Sequence, residues 1–393
     1  MAEIDIVAWI TILMIYSLLS LLLMPYMYSM QARLGVGQLR KCTKELEQWA
    51  KEGRLVAIRA ITKHGRTKRD FEKEFDNFLE FFAIEPVSED PVGVISRLEH
   101  ILDVRKHRFE DAVKRFAPNA DPEAAADLEM VIEGAMASYI LYRLMRHFTI
   151  LANKTKNIQL TMLLQMNLPF IREAAKGYLE ATKAFAERKP IGDGAGALVA
   201  ALLGEGGEWK EPIKDTVYTE IEFEKRKLLV VKAKGPGGRV GKPGELIRWL
   251  ARRRKIARII MIDAAGKLEG EKSGEVVEGV GAAIGGPPTE KYKIEEIATK
   301  LKIPVDAIAI KEAFIEAIKP MHRDLAKGSQ TAVEFVKRGI LQRTKPGDTV
   351  IVAGIGNTIG IGQRKEEIPK EFPAPEKGKE EIESNFLPIR RLF

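Results

Sequence analysis

The amino-acid sequence predicts one transmembrane helix, then an α-helical domain, then an α/β domain with a parallel or mixed sheet and helices on both faces. Three observations lead to this fold class. A long apolar run without charges lies near the N-terminus, helical periodicity follows it, and beyond Pro190 short apolar runs and glycines alternate with helical segments. The predicted domains are the anchor at 4–29, the helical domain at 30–189, the α/β domain at 190–363 and a charged tail at 364–393.

The predicted anchor is the run at residues 6–28, which contains no charge. About twenty helical residues cross the hydrocarbon core of a bilayer, whereas a cleaved signal peptide has a basic start and a shorter apolar stretch. Residues 33–69 carry a large excess of Lys and Arg, which places the following domains in the cytoplasm and predicts contact with membrane lipids. The sequence thus predicts a single-pass membrane protein with cytoplasmic C-terminal domains.

The formal net charge of +8 is accounted for by that basic segment. Nucleic-acid binding requires a basic face with stacking or groove-reading elements, so we do not expect it. The single cysteine, Cys42, excludes an intrachain disulfide and fits a reducing compartment. Abundant Lys, Arg and Glu beside few Asn and Gln are typical of thermophiles.

The helical domain has apolar residues at three- and four-residue spacing, as in Leu39, Cys42 and Leu46. Two further segments, 131–152 and 158–171, are apolar, but the first contains charged side chains and the second is too short to span a membrane. We therefore expect both to be buried helices of a bundle or contacts in a homo-oligomer.

The α/β domain is predicted from short apolar runs separated by helical ones. Strands are expected at 219–223, 228–232, 257–262, 307–310 and 349–353, and helices at 244–254, 294–301 and 315–337, the last with a break near Pro320. Ligands of such sheets collect beyond the carboxyl ends of the strands. The residues that follow each strand are therefore the candidates for a site.

Four glycine-rich segments stand at predicted strand or helix ends; they begin at Pro190, Lys234, Met261 and Ala353. Glycine loops before helices favour anions, because free N–H groups and the helix dipole point outward. None of the four is a complete dinucleotide-binding or Walker A loop, and glycines that only supply positive φ angles are the alternative. We predict one shared site, with the ligand-binding residues Gly192, Gly194, Gly237, Gly238, Gly241, Lys267, Glu269, Gly281, Gly285, Gly354, Gly356 and Asn357.

Three of these segments carry a resemblance to known proteases. The run P-I-G-D-G-A-G-A-L-V-A-A-L-L at 190–203 resembles the G-D-D-G-x-G-x-x-V-A-x-x-L segment of hydrogenase maturation proteases and its counterpart in spore germination proteases. In those families the segment follows a strand ending in G-x-G-N, which here lies at 354–357, and the strand I-I-M-I-D-A-A resembles the I-D-A strand of the germination proteases. Residues 190–362 thus resemble a circularly permuted form of that fold. The whole chain also resembles an uncharacterised archaeal membrane-protein family known only as a domain of unknown function.

The resemblance implies roles for Asp193 and Asp263, which match the two acidic positions that these proteases use for metal binding or catalysis. Two carboxylates that converge on one pocket can bind a divalent metal ion or share a proton. The chain departs from the maturation proteases in its permuted order, in Gly194 at the place of their second acid and in lacking a match for their metal-binding histidine. His322 is expected to be an ordinary histidine.

Three functions follow from these features. The preferred one is a membrane-tethered hydrolase, peptidase-like, that uses Asp193 and Asp263 with or without a divalent metal. The alternatives are an anion- or nucleotide-binding sensor and a structural scaffold in which the glycines serve only as turns. Replacement of Asp263 should abolish the first function, perturb the second mildly and leave the third unchanged. The tail at 364–393 is charged and contains several prolines, which predicts disorder.

Overall fold

The computed structural model of the protein describes residues 2–83, 93–286 and 288–375, while the side chains of residues 2–8, 10, 22, 25, 28, 29, 31 and 32 lie outside that description. The chain divides into two compact units. The first comprises Met1–Glu52 and Ala137–Lys176, and the second comprises Gly53–Met136 and Gly177–Phe393. The second unit therefore combines helical segments of the N-terminal half with the entire β-sheet.

The N-terminal half is helical, as predicted. Its helices are α1 (Ala2–Thr62), α2 (Lys68–Phe78), α3 (Val94–Phe116), α4 (Pro122–Thr155) and α5 (Ile158–Ala186). In the first unit, Leu39, Cys42 and Leu46 of α1 are buried in a core that also contains Met145 and Ala175. The three- and four-residue spacing of the α1 side chains thus marks a packed helix face.

The predicted transmembrane helix is contradicted. The apolar run at 6–28 is not a helix of its own but the beginning of α1, which continues without interruption through the basic segment to Thr62. No helix within the described residues is both long and apolar enough to cross a membrane. This finding overturns the predicted anchor at 4–29 and counts against the single-pass localisation with cytoplasmic C-terminal domains. Several side chains of that run, and residues 376–393 of the tail predicted to be disordered, lie outside the description.

The C-terminal region is a mixed α/β fold. Its elements are α6 (Ala195–Leu203), β1 (Trp209–Ile213), β2 (Thr216–Phe223), β3 (Arg226–Ala233), α7 (Pro243–Arg253), β4 (Arg258–Gly266), β5 (Val276–Val280), α8 (Pro288–Leu301), β6 (Val305–Glu312), α9 (Arg323–Arg343) and β7 (Thr349–Gly354). The strand order is β1-β2-β3-β7-β4-β6-β5, in which β3, β7, β4 and β6 are parallel and the outer strands antiparallel.

Helices cover both faces of this sheet, as predicted. Neighbouring residues of one strand point to opposite faces, so Val230 and Ile260 pack with α6 and α9, while Leu229 and Met261 pack with α7 and α8. The β1 and β5 strands were not predicted. The predicted helix at 315–337 begins only at Arg323, because Pro320 lies in a non-helical segment that precedes it.

Candidate active site

Asp263 lies on β4 at the point where its neighbour β7 ends. The last residue pair between these strands joins Ile262 and Gly354, and Asp263 is the next residue along β4. The backbone N–H of Ala264 donates to its Oδ1 at 2.9 Å, and the N–H of Gly285 donates to its Oδ2 at 2.6 Å. Both carboxyl oxygens are therefore fixed by the backbone, and the residue is only 5 % exposed.

Asp193 lies in a short 3-10 turn, Gly192–Gly194, directly before α6. Its N–H donates to the carbonyl of Ala317 at 2.9 Å, and its Oδ2 accepts the N–H of Asn357 at 2.8 Å. The N-cap position of α6 is taken by the next residue, Gly194, and not by Asp193. The approach of Gly356, which has a φ of +121°, to the Asp193 carbonyl leaves no room for a Cβ atom. The glycine after β7 thus permits this contact.

Glu312 is a third acid, at the carboxyl end of β6. The alternation of β6 buries its even-numbered residues, so Glu312 points to the same face as Ile310, the face covered by α6. It is 3 % exposed, and its Oε2 has no hydrogen-bond partner in the described part of the chain. A Cβ atom added to Gly192 would lie 2.5 Å from that oxygen, which places Glu312 against the turn that carries Asp193.

The sequence reasoning missed Glu312. The available signal was its position, since it is a carboxylate that ends an alternating strand at the edge of the sheet where ligands collect.

The pKa values of all three acids are raised, and burial is the largest cause in each case. Burial, and after it the charge of Asp193, raises the pKa of Asp263 to about 7, against the opposing effect of its two N–H donors. Burial, followed by the charges of Asp193, Glu316 and Asp263, raises the pKa of Glu312 to about 9. Burial also raises the pKa of Asp193. Since the acids titrate as a group, at least one of them carries a proton at neutral pH.

Glu316 and His322 flank this group. The Oε1 of Glu316 lies 3.2 Å from Nε2 of His322, and its Oε2 accepts bonds from the Ser273 hydroxyl and the Ala313 N–H, each at 2.7 Å. Although burial alone would raise it, the hydrogen bonds from His322, Ala313 and Ser273 hold the pKa of Glu316 down to about 2. His322 also accepts the N–H of Asp324 at the start of α9. His322 therefore orients Glu316, which is a charged neighbour of the acids at neutral pH.

The structure brings only part of the predicted ligand-binding set to the acids. The members that contact the carboxyl groups, or the backbone that carries them, are Gly192, Gly194, Gly285, Gly356 and Asn357, and Gly354 adjoins them at the end of β7.

The glycine loop after β3 has other partners. The N–H of Gly238 donates to the Asp127 carboxylate of α4 at 3.0 Å, and the Thr358 hydroxyl donates to the carbonyl of Gly237 at 2.9 Å. Gly241 takes a φ of +64° beside β2. The loop thus uses its polar groups within the fold.

The loop after β4 also departs from the prediction. The Lys267 ammonium donates to the carbonyl of Glu271 at 2.9 Å, while Glu269 and Gly281 are exposed. These residues lie on the outer surface of the loops that follow β4 and β5.

A divalent metal ion does not fit the acids as they are arranged. Within the described residues, no three or more His, Cys, Asp or Glu side chains are grouped so that they could hold a metal ion. Both oxygens of Asp263 and one of Asp193 already accept backbone N–H groups, whereas metal sites need several free oxygen or nitrogen ligands. The arrangement is suited to sharing protons.

Comparison with known proteins identifies a family. Residues 10–188 match a model described as "Protein of unknown function (DUF1512) N-terminal domain", and residues 191–362 match one described as "Domain of unknown function (DUF1512) C-terminal". The chain belongs to this two-domain family. Searches of curated proteins and of solved structures gave no match.

Proposed function

We propose that the α/β region is a hydrolase of peptide-like amide bonds and that Asp193 and Asp263 are its catalytic acids. The observation that carries the proposal is the meeting of two carboxyl groups at the carboxyl end of the sheet: Asp263 is buried, the charge of Asp193 acts on it, and each carboxyl group accepts at least one backbone N–H. Buried acids with perturbed pKa values occur preferentially at functional sites. Paired aspartates that share a proton are an established means of activating water at an amide carbonyl.

The resemblance to maturation and germination proteases supports the same assignment. The segments that carry it, 190–203 and 354–357, are distant in sequence, yet the N–H of Asn357 donates directly to Asp193. A circular permutation would explain this adjacency. The G-x-G-N strand end then lies beside the acidic segment in the fold, although it comes after that segment in the sequence. An archaeal, thermophilic origin and a homo-oligomer remain predictions.

The chemistry needs one charged and one neutral acid. The charged carboxylate removes a proton from water, whose oxygen attacks the carbonyl carbon, and the neutral carboxyl donates a hydrogen bond to the carbonyl oxygen as it becomes negative. Asp263 is the acid whose pKa of about 7 allows either role near neutral pH. Because it is only 5 % exposed, substrate has to displace the loop that carries Gly285.

An anion-binding function has less support. The best placed N–H group of the loop after β3, that of Gly238, already binds Asp127. The acids that are charged at neutral pH, including Glu316, would also repel a phosphate at the glycine segments beside them.

The test is cleavage of a peptide library by the full-length protein, followed by mass spectrometry, with Asp263→Asn as the variant. Loss of a general base or acid typically costs about 10²–10⁴-fold in rate, and we expect a loss in that range. Asp306→Asn is the matched control, since Asp306 is a buried aspartate of β6 that binds Arg258 outside the site. Absence of cleavage by the wild type, or equal cleavage by the Asp263 variant, contradicts the proposal.

A further inference from the structure

Glu312 is not accounted for by the acid pair or by the resemblance. It is held against Asp193 by the pairing of two distant segments. The N–H of Gly192 donates to the carbonyl of Lys319 at 3.1 Å, and Ile191 forms a β-bridge with Pro320. This pairing lays the acidic turn along the segment that follows β6. Gly192 lacks a side chain where one would collide with Glu312 and with the backbone of that segment.

We infer that Glu312 is the general acid of the site, a neutral carboxyl group that protonates the leaving nitrogen of the amide. The inference rests on the proposed hydrolase function and extends it, because it assigns the proton donor separately from Asp193 and Asp263, which handle the water.

Hydrogen bonding distinguishes Glu312 from the other two acids. Asp263 accepts two backbone N–H groups and Asp193 accepts one, and such bonds favour the charged form. The Oε2 of Glu312 accepts none within the described residues, and a buried carboxyl group without donors favours the neutral form.

The charged groups that face Glu312 also favour its neutral form. They are Asp193 before α6, Asp263 on β4 and Glu316 after β6, and the negative charge of each raises the pKa of Glu312. Glu316 is held charged by His322 and Ser273. It is thus a positioning residue that keeps the proton on Glu312.

The proposed step balances as follows. Water adds to the carbonyl carbon and gives one proton to the aspartate pair. The carbon–nitrogen bond then breaks, and its electron pair leaves with the nitrogen, which takes the proton of Glu312. The products are a carboxylic acid and an amine, and the proton held by the aspartates returns to Glu312. No oxidant or other co-reactant is required.

The first test examines the proton itself. The infrared difference spectrum between the full-length wild type and Glu312→Gln at pH 7 should contain the carbonyl stretch of one protonated carboxyl group, on top of any band that the two proteins share. Glu290→Gln is the matched control, because Glu290 is also buried but binds Lys293 and the N–H of Gly244. Its replacement should leave the band unchanged. Identical spectra for wild type and Glu312→Gln would overturn the inference.

The second test examines the leaving group. An amide nitrogen must be protonated to leave, whereas the nitrophenolate of an activated ester departs without a proton. Glu312→Gln should therefore lose at least about 10²-fold in amide hydrolysis and little in ester hydrolysis. Equal losses on both substrates would overturn the general-acid role while leaving the proposed hydrolase intact. If the wild type cleaves neither substrate, the hydrolase and the general-acid role both fail, and the infrared band alone decides whether Glu312 is protonated.

Discussion

Glu312→Gln should make the protein more stable at neutral pH. The pKa of Glu312 lies near 9 in the folded chain, compared with 4.5 for an unperturbed glutamate. The unfolded chain therefore loses a proton that the folded chain retains, so folding becomes less favourable as pH rises above 4.5 until it reaches the folded-state pKa. Glutamine does not titrate, so the stability of the variant does not fall with rising pH for this reason.

The size of the effect follows from the pKa difference. Each pKa unit corresponds to about 1.4 kcal/mol, so at pH 7.5 the glutamate lowers the free energy of unfolding by up to about 4 kcal/mol. The variant should gain most of that amount at pH 7.5 and almost nothing at pH 4.5. Because Asp193 and Asp263 share the titration, their own protonation at low pH reduces the measured gain.

Urea unfolding of the full-length wild type and variant at pH 4.5, 6 and 7.5 provides the measurement. The difference in midpoint should increase with pH, with an unchanged slope against urea. Glu290→Gln serves as the control and should be destabilised at pH 7.5, because it breaks the pair with Lys293. A Glu312→Gln variant that is less stable than wild type at pH 7.5, or whose difference is the same at each pH, would refute the reasoning.

Two further predictions concern packing and ion pairing in the second unit. Gly192→Ala should lower the free energy of unfolding by about 1–3 kcal/mol, because the new Cβ would collide with the backbone carbonyl of Glu316. The control is Gly266→Ala, whose new Cβ would have no atom within 4 Å, and it should change the free energy of unfolding little in the same urea assay. Lys293→Met should cost about 3–5 kcal/mol, because the 4 % exposed side chain binds two carboxylates that would lose their partner. The control is Lys291→Met, which removes an exposed ion pair on the same helix and should cost less than about 1 kcal/mol. Both losses can be measured by thermal denaturation, and equal losses for the two lysines would contradict the stabilising role of the buried Lys293 pairs.

The parallel centre of the sheet could be predicted because its strands are short, apolar and separated by helical runs. The two edge strands could not. Pro212 in β1 and the exposed Gly279 in β5 are residues that sequence reasoning treats as strand breakers. At an edge, one side of a strand has no partner, so a proline without an N–H group and a glycine without a side chain are tolerated there.

Apart from what the resemblance implied, the candidate site was predictable where a residue's neighbours in sequence are also its neighbours in space. Asp263 follows an apolar strand, and that local pattern marks it directly. Glu312 depends on the pairing of Gly266 with Glu312 across β4 and β6 and on the contact with Gly192. Both partners are distant in sequence, and no periodicity encodes their distance. The burial of the Glu312 carboxyl oxygen Oε2 without a hydrogen-bond partner is therefore visible only in the folded chain.

The glycine segments show why composition did not separate acid chemistry from anion binding. A loop of free N–H groups attracts negative charge whether that charge belongs to a ligand or to the protein. After β3 the fold itself supplies the charge, through Asp127 on α4, and beside β4 and β7 it supplies Asp263 and Asp193 to the N–H groups of Gly285 and Asn357. Three of the four glycine segments thus hold a carboxylate of the same chain in place. This use of the glycines orients acids, which is the property that amide hydrolysis requires and that anion binding does not.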